Sequence, residues 1–204
     1  MGDSDSSIEI LDEEVEPPPP EAASGSVQDF YDTIHVVGSG GFGIVYLVNC
    51  KKTGKDFALK KISLEGRKDF KKDKKNVERE IKILKQCDHE NIVKFEKYYF
   101  DSKKTFHLII EWCNKGDLSD FIKAQAIEGQ SFPVNVIISC SRDIVRGLNY
   151  LHHHPIKKIL HRDLKPGNIL CFDDGTSNGR WKIADFGISK IKGKNIKTIL
   201  FSVI

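Results

Sequence analysis

The stretch that decides the fold is His161-Arg162-Asp163-Leu164-Lys165-Pro166-Gly167-Asn168, and Asp185-Phe186-Gly187 begins seventeen residues after its last residue. A single aspartate or asparagine in such a loop is often a turn or capping residue. Here an acid, a lysine, a carboxamide and a second acid recur together, and chance agreement at so many positions is negligible. The two segments therefore indicate a polar site with a proton acceptor and oxygen ligands.

Upstream of these segments, a glycine-rich stretch separates two apolar strands. Gly38-Ser39-Gly40-Gly41-Phe42-Gly43 is followed by Ile44-Val45-Tyr46-Leu47-Val48. A strand after the glycines argues against a dinucleotide-binding turn, which places a helix there. Glycines let a hairpin lie close over a triphosphate and offer backbone N–H groups to its oxygens. By itself, the stretch fits a hairpin turn without a ligand equally well.

A third strand and the helix after it predict a buried ion pair. The alternation from Asp56 to Ile62 places Lys60 on an apolar face, where an ammonium group needs a counter-charge. Glu80 lies on the inner stripe of the following helical pattern, between Val77 and Leu84. We therefore predict that Glu80 pairs with Lys60. The alternative is a surface lysine that keeps its ammonium group in water.

The next segments are predicted to form two strands, a hinge and two helices. Apolar strands are predicted over Ile92 to Phe100 and Thr105 to Glu111, before a hinge-like connector, Trp112 to Gly116. A helix begins near Asp117. A longer helix follows, with Pro133 in its first turn and apolar residues at three- and four-residue spacing up to Leu151. This apolar stripe needs a packing partner.

From about Phe30 to Ser189 these motifs, in this order, resemble those of eukaryotic protein kinases of the Ser/Thr type. The resemblance implies an α+β, protein kinase-like fold with a five-stranded antiparallel N-lobe sheet, one αC helix and an incomplete, mainly helical C-lobe. It divides the chain into a tail over 1–28, an N-lobe over 29–112 and a partial C-lobe over 113–204. The last part would hold the catalytic loop, the Asp-Phe-Gly motif and a truncated activation segment.

The resemblance also assigns the site residues. It makes Asp163 the catalytic base, Lys165 the contact of the transferred phosphate, and Lys60, paired with Glu80, the contact of the α- and β-phosphates. Mg²⁺ would be bound by Asn168 and Asp185. Val45 would cover the adenine, and Ile110 would stand at the back of its pocket. The nucleotide contacts implied in addition are Gly38, Ser39, Gly40, Gly41, Phe42, Gly43, Ala58, Glu111 and Cys113.

We therefore expect an enzyme, an ATP-dependent Ser/Thr kinase that transfers the γ-phosphate of Mg-ATP to a protein substrate. The sequence runs to Ile204 without an Ala-Pro-Glu motif, so we expect a truncated chain with weak nucleotide binding and little transfer. One alternative is an ATP-binding truncated isoform that acts as a regulatory or interaction module, and another is an adaptor that binds through its tail. The segment Glu111 to Leu118 is similar to hinges in NIMA-related kinases and in the kinases of translation initiation factor two.

The charge of the chain is unevenly distributed. Residues 1–25 contain eight acids and no lysine or arginine, whereas the rest contains 32 basic and 21 acidic side chains. We interpret the first 28 residues as a disordered acidic tail. In the alternative, Ile8 to Glu14 adds as a strand to a regulatory protein, as SUMO-interacting peptides do. The lysines elsewhere are scattered through strand and helix patterns, so we expect no nucleic-acid binding.

Cysteine and histidine usage bears on the compartment and on other metals. The five cysteines occur singly, and the sequence contains no apolar run long enough to cross a bilayer, so we expect a cytoplasmic and/or nuclear protein without a membrane span. Consecutive histidines, His152 to His154, suggest zinc, but neighbouring ring nitrogens at a helix end seldom converge on one ion. The long link from Cys171 to Trp181 predicts a lengthened hairpin turn.

Overall fold

A computed structural model describes residues 22–40, 43–155 and 159–185 of the chain. It consists of a five-stranded sheet with one long helix on it, followed by a mainly helical part. The first part contains α1 (Val27–Phe30), β1 (Tyr31–Gly40), β2 (Gly43–Cys50), β3 (Asp56–Ser63), α2 (Phe70–Gln86), β4 (Phe95–Phe100) and β5 (Thr105–Glu111). The second contains α3 (Leu118–Glu128), α4 (Val134–His152), a 3₁₀ turn (Pro166–Asn168), β6 (Ile169–Phe172) and β7 (Arg180–Ile183).

The five strands form one antiparallel sheet, as predicted, and the structure gives their order as β1-β2-β3-β5-β4. The edge strand β4 begins at Phe95 rather than at Ile92, which corrects the predicted start. Ile92 forms a bridge with Ile183 instead, and the N–H of Val93 donates to the carbonyl of Ile183 at 3.0 Å. The residues before β4 are therefore bonded to β7, so they cannot continue the sheet.

Both faces of β3 are buried, because each meets a different layer. Ile62 packs with Val77 and Ile81 of α2 in the main apolar cluster. Leu59, on the opposite face, packs with Val27 in a second cluster. The alternation predicted for this strand is confirmed, and the burial of both faces fixes its register.

The N-terminal segment lies against the second face, ahead of the predicted start of the N-lobe at residue 29. Val27 is only 4% exposed, and the N–H of Ala23 donates to the carbonyl of Tyr98 at 2.8 Å. Ordered packing therefore begins before residue 29, because apolar side chains on this face of the sheet need a cover. Residues 1–21, including the Ile8 to Glu14 segment, lie outside the described residues.

The helix α2 begins at an aspartate cap and buries one stripe. The carboxylate of Asp69 accepts the N–H of Lys72, which satisfies one of the free donors of the first turn. Val77 and Ile81 are fully buried and Leu84 nearly so, as the three- and four-residue spacing predicted. Glu80 lies in this helix, but its side chain is outside the described part, so its pairing with Lys60 stays a prediction.

The inner face of α4 differs from the apolar stripe predicted for it. The residues that it buries are mostly small or polar, namely Ser139, Cys140, Asp143, Gly147 and Leu151. A methyl group at Gly147 would lie 2.8 Å from Ile183 Cδ1 and 2.9 Å from the carbonyl oxygen of Asn91, so only glycine fits this close approach. Four apolar side chains predicted to need a partner are exposed: Val134, Ile137, Ile138 and Val145.

The β6–β7 hairpin positions the end of the described chain. Its strands are joined by residues 173–179, which confirms the lengthened turn. The N–H of Trp181 donates to the buried carboxylate of Asp143 at 3.1 Å, so α4 holds this hairpin directly. Within residues 22–40, 43–155 and 159–185, none of the helices combines the length and the apolar character that a bilayer span requires.

Candidate active site

A cavity of about 330 Å³ lies between the sheet and the β6–β7 hairpin. Eight of the predicted nucleotide-binding residues line it: Gly38, Val45, Ala58, Lys60, Ile110, Glu111, Cys113 and Asp185. Ser39, Gly43 and Asn168 are not among the described residues that line it. Gly41 and Phe42 lie outside the described part, and Gly40 is described only as the last residue of β1. The sheet supplies one wall of the cavity and the connector after β5 supplies its back.

Sequence reasoning missed the opposite wall. Leu170 of β6 and Ala184, directly after β7, line the cavity across from the sheet. Their signal in the sequence was weak, since each is an ordinary apolar residue in a short strand or directly after one. They reach the site because the hairpin that carries them is bonded to the segment before β4.

Lys60 and Asp185 join the two walls. The Lys60 Nζ atom lies 2.5 Å from Asp185 Oδ1, and the lysine side chain is 5% exposed against 30% for the aspartate. The predictions placed both residues at the nucleotide, and the structure brings them together. Asp185 has φ +57°, a left-handed conformation that costs a non-glycine residue about 1–3 kcal/mol. Backbone strain of this kind concentrates at functional sites.

The residues of the polar loop are bonded to one another around Asp163. Lys165 Nζ donates to Asp163 Oδ2 at 2.9 Å. The side-chain amide of Asn168 donates to the Asp163 carbonyl at 2.8 Å and to Oδ2 at 3.0 Å. Burial raises the pKa of Asp163, but the hydrogen bonds and charge of Lys165 and the Asn168 amide outweigh it, so its pKa lies below the ordinary value. The carboxylate is ionised at neutral pH and can accept a proton.

His161 connects this loop to the chain before Asp185. Its Nε2 lies 2.9 Å from the carbonyl oxygen of Ala184, and its Nδ1 lies 3.3 Å from the N–H of Asp163. Both contacts are satisfied when the neutral ring carries its proton on Nε2. The N–H of Ala184 donates in turn to the carbonyl of Asn168 at 2.9 Å. The sequence analysis quoted His161 without a role, and the structure gives it one as a positioning residue.

Acid is expected to destabilise the protein partly through His161. Burial lowers the pKa of His161, and burial also lowers that of His89. Because the unfolded histidines bind protons first, this contribution is complete above about pH 6.5 and is lost as the pH falls below it. We expect the urea midpoint to fall between pH 7.5 and 5.5, and the fall to be smaller in His161→Gln. The same slope in His161→Gln and in the exposed-site control His152→Gln would contradict this assignment.

The donor set fits magnesium. Because the Asn168 amide nitrogen is turned toward Asp163, its oxygen points away from that carboxylate and is free to act as a ligand. Asp185 has a second carboxylate oxygen besides the one near Lys60. Mg²⁺ prefers such oxygen ligands and is usually held by one or two carboxylates plus phosphate oxygens. Asn168 and Asp185 would hold the ion here.

The consecutive histidines contact different partners. The His153 Nδ1 atom lies 2.9 Å from the carbonyl oxygen of Asn149, and the His154 Nε2 atom lies 3.4 Å from that of Gln86. Across the residues that the structure describes, no three His, Cys, Asp or Glu side chains are grouped as metal ligands would be. Nothing in these contacts favours zinc.

An ion pair that the sequence analysis missed lies behind the cavity. Lys182 Nζ is 3.0 Å from both carboxylate oxygens of Glu111, and the N–H of Lys94 also donates to this carboxylate at 3.1 Å. Lys182 is 9% exposed and lies over the Phe172 ring. The available signal in the sequence was a lysine between Trp181 and Ile183 in β7. The pair ties β7 to the end of β5, where the hinge begins.

Removal of one partner of this pair is expected to destabilise the fold. Lys182→Met leaves the Glu111 carboxylate without its counter-charge, which should cost about 2 kcal/mol, less than for a fully buried pair. Adding Glu111→Gln to Lys182→Met should restore part of the loss, because no uncompensated charge then remains. Urea unfolding of the two single variants and the double variant measures the coupling. Strictly additive losses would show that the contact contributes nothing.

Comparison with known proteins agrees with this geometry. The family described as "Protein kinase domain" matches residues 31–202. A Dictyostelium discoideum protein named "Probable myosin light chain kinase" is 36% identical over 174 residues, which cover 84% of this chain and 42% of that protein. The Mus musculus "Serine/threonine-protein kinase Nek3" is 33% identical over 163 residues, 80% of this chain and 29% of that protein. The chain thus spans less than half the length of either relative.

Proposed function

The chain belongs to the protein kinase family, and on this premise we propose that it binds Mg-ATP in the cavity and transfers the γ-phosphoryl group to a Ser or Thr hydroxyl of a protein substrate. The observation that carries the proposal is the meeting of Lys60 with Asp185 at the cavity, beside the bonded group of Asp163, Lys165 and Asn168. The name of the Nek3 relative specifies a Ser/Thr kinase, which supports a Ser or Thr hydroxyl as the acceptor of the phosphoryl group.

The proposed chemistry needs little beyond positioning and charge. Phosphoryl transfer passes through a loose transition state with negative charge spread over the phosphoryl oxygens. Bound Mg²⁺ would neutralise part of this charge. Lys60 and Lys165 supply fixed positive charge in a partly enclosed site, where each contact is stronger than in water. Asp163, ionised at neutral pH, accepts the proton of the attacking hydroxyl.

We also propose that the 204-residue chain binds nucleotide weakly and transfers phosphate slowly. The exposed apolar side chains of α4 support this, since Val134, Ile138 and Val145 are 69%, 59% and 63% exposed. An apolar face in water favours association over a single well-ordered state. The alternative, an ATP-binding interaction module, predicts binding without any transfer.

Titration calorimetry with Mg-ATP tests nucleotide binding. We expect heat from the unchanged chain and at least about tenfold weaker binding, or 1.4 kcal/mol, in Lys60→Met. Lys61→Met is the matched control, since Lys61 is the next residue of β3 and its Nζ lies over the Tyr46 ring, 4.7 Å from the centroid. If the unchanged chain releases no heat with millimolar Mg-ATP, both the kinase hypothesis and the interaction-module hypothesis are rejected. Transfer of γ-labelled phosphate to a generic Ser/Thr substrate separates the kinase from the interaction module.

A further inference from the structure

One flank of the N-lobe brings together lysines from two separate stretches of the sequence. Lys68, Lys71, Lys72 and Lys75 are exposed just before α2 and along its first two turns. Lys103 and Lys104, in the β4–β5 turn, are exposed beside them, and Lys104 Nζ lies 4.9 Å from the centroid of the Phe70 ring at the start of α2. These six lysines are called the basic flank below. Lysines from two separate stretches of the sequence therefore lie on one surface.

The six lysines of the basic flank form no ion pair within the described part of the chain. Three of the nearby acids have other contacts, and Glu65, three residues before Lys68, is exposed. Asp69 caps the helix, Asp73 lies 3.6 Å from Arg67, and Glu78 lies 3.6 Å from Lys74. A surface of this charge attracts an anionic occupant.

The acidic segment of the same chain joins the domain at the edge strand that α2 contacts. Residues 1–21 contain eight acids and no lysine or arginine. They join the described chain next to Ala23, which bonds to Tyr98 of the edge strand β4. Two residues along that strand, the Phe100 ring lies under Lys74 of α2, 4.9 Å from its Nζ atom. The segment therefore joins the domain at the β4 edge, which α2 contacts through Lys74, while Ala23 itself packs in the cluster on the sheet face opposite α2.

Length and charge both allow the segment to cover the flank. Twenty-one residues reach up to about 70 Å when extended, whereas the 17-residue helix α2 is about 25 Å long. The segment contains eight carboxylates, and the basic flank contains six lysines. A tethered segment also acts at an effective concentration in about the millimolar range, which gives it an advantage over external anions at micromolar concentrations.

We propose that residues 1–21 dock on the basic flank of their own chain. The contact is electrostatic, and it covers the outer side of α2, the helix that packs on the sheet through Val77 and Ile81. The proposal does not depend on the proposed kinase activity, and its test measures none. Failure of one is therefore distinguishable from failure of the other.

Carbodiimide cross-linking of the full chain tests the proposal, because this reagent joins a carboxylate to an amine only when the two are in contact. We expect amide links from tail carboxylates to Lys68, Lys71, Lys72 or Lys75, identified by peptide mapping. In an equal mixture of unlabelled and ¹⁵N-labelled chains, the links should join residues of one chain. The yield should fall severalfold between about 20 mM and 0.5 M salt, because the screening length shrinks to a few ångströms.

Charge variants supply the control. One variant neutralises four tail acids: Asp12→Asn, Glu13→Gln, Glu14→Gln and Glu16→Gln. The yield of links from the four remaining tail acids should then fall at least about fivefold. These remaining acids are Asp3, Asp5, Glu9 and Glu21. Neutralising four exposed acids elsewhere should leave the yield unchanged, in the matched variant Asp32→Asn, Asp56→Asn, Asp88→Asn and Glu128→Gln.

Three results would overturn the proposal. Links between labelled and unlabelled chains would assign the flank to a second copy. Links spread evenly over all exposed lysines would show that the tail does not prefer the basic flank. Protection of the α2 lysines from acetylation by a 20-base DNA, without tail links in its absence, would assign the flank to nucleic acid.

Discussion

Replacement of Asp163 by asparagine is expected to lower the rate of phosphoryl transfer by about 10²–10⁴-fold while leaving nucleotide affinity within about threefold. Asparagine keeps the shape of the side chain and the backbone carbonyl that accepts from Asn168. It removes the carboxylate that Lys165 contacts and that takes the hydroxyl proton. Because the lost interaction acts at the transferring hydroxyl, turnover should fall and ATP binding should persist.

The measurement is a single-turnover assay with γ-labelled ATP, a generic Ser/Thr substrate and the chain in excess, so that slow transfer stays measurable. Calorimetry on the same sample gives the affinity. Asp88→Asn, an exposed acid between α2 and β4, serves as the control and should transfer at the unchanged rate. A rate for Asp163→Asn within about threefold of the control would remove Asp163 from the role of general base.

Replacement of Gly43 by alanine is expected to destabilise the domain by about 3 kcal/mol or more. Gly43 has φ +126°, and a Cβ atom there would lie 1.8 Å from the backbone oxygen of Lys61. Backbone cannot rotate away as a side chain can, so β2 and β3 must separate at this end. The loss should be large because Ile44 pairs with Lys61 in the same ladder.

Gly38→Ala is the matched control for this substitution. Gly38 belongs to the same glycine-rich stretch, yet nothing lies within 4 Å of the position that its Cβ would take. We expect its unfolding free energy to change by no more than about 0.5 kcal/mol. Urea unfolding of the two variants gives the comparison. Equal losses at both positions would mean that the close approach at Gly43 does not govern stability.

Much of the candidate site was predictable because its parts are local in sequence. Asp163, Lys165 and Asn168 lie within six residues, and a single turn brings their side chains together. The strand alternation around Lys60 likewise follows from short-range geometry. Such features depend on neighbours a few residues apart, where spacing alone restricts the arrangement.

The contacts between distant segments were not predictable in the same way. Lys182 and Glu111 are 71 residues apart, and each also fits a surface position. The inner face of α4 was predicted from apolar spacing, whereas the buried face has Asp143 and Gly147, since a backbone donor and a closely packed carbonyl lie opposite them. A periodic pattern identifies an apolar side but contains no information about what packs there.

The sequence by itself determined the family, the order of strands and helices and the chemical groups of the site, because these depend on residue type and on spacing along the chain. The tertiary structure alone decided which of two glycines is required by a backbone neighbour and which lysines gather on one flank. It also decided that Lys60 meets Asp185 across 125 residues. These outcomes depend on how separate segments pack, and close packing leaves each segment few positions relative to the others.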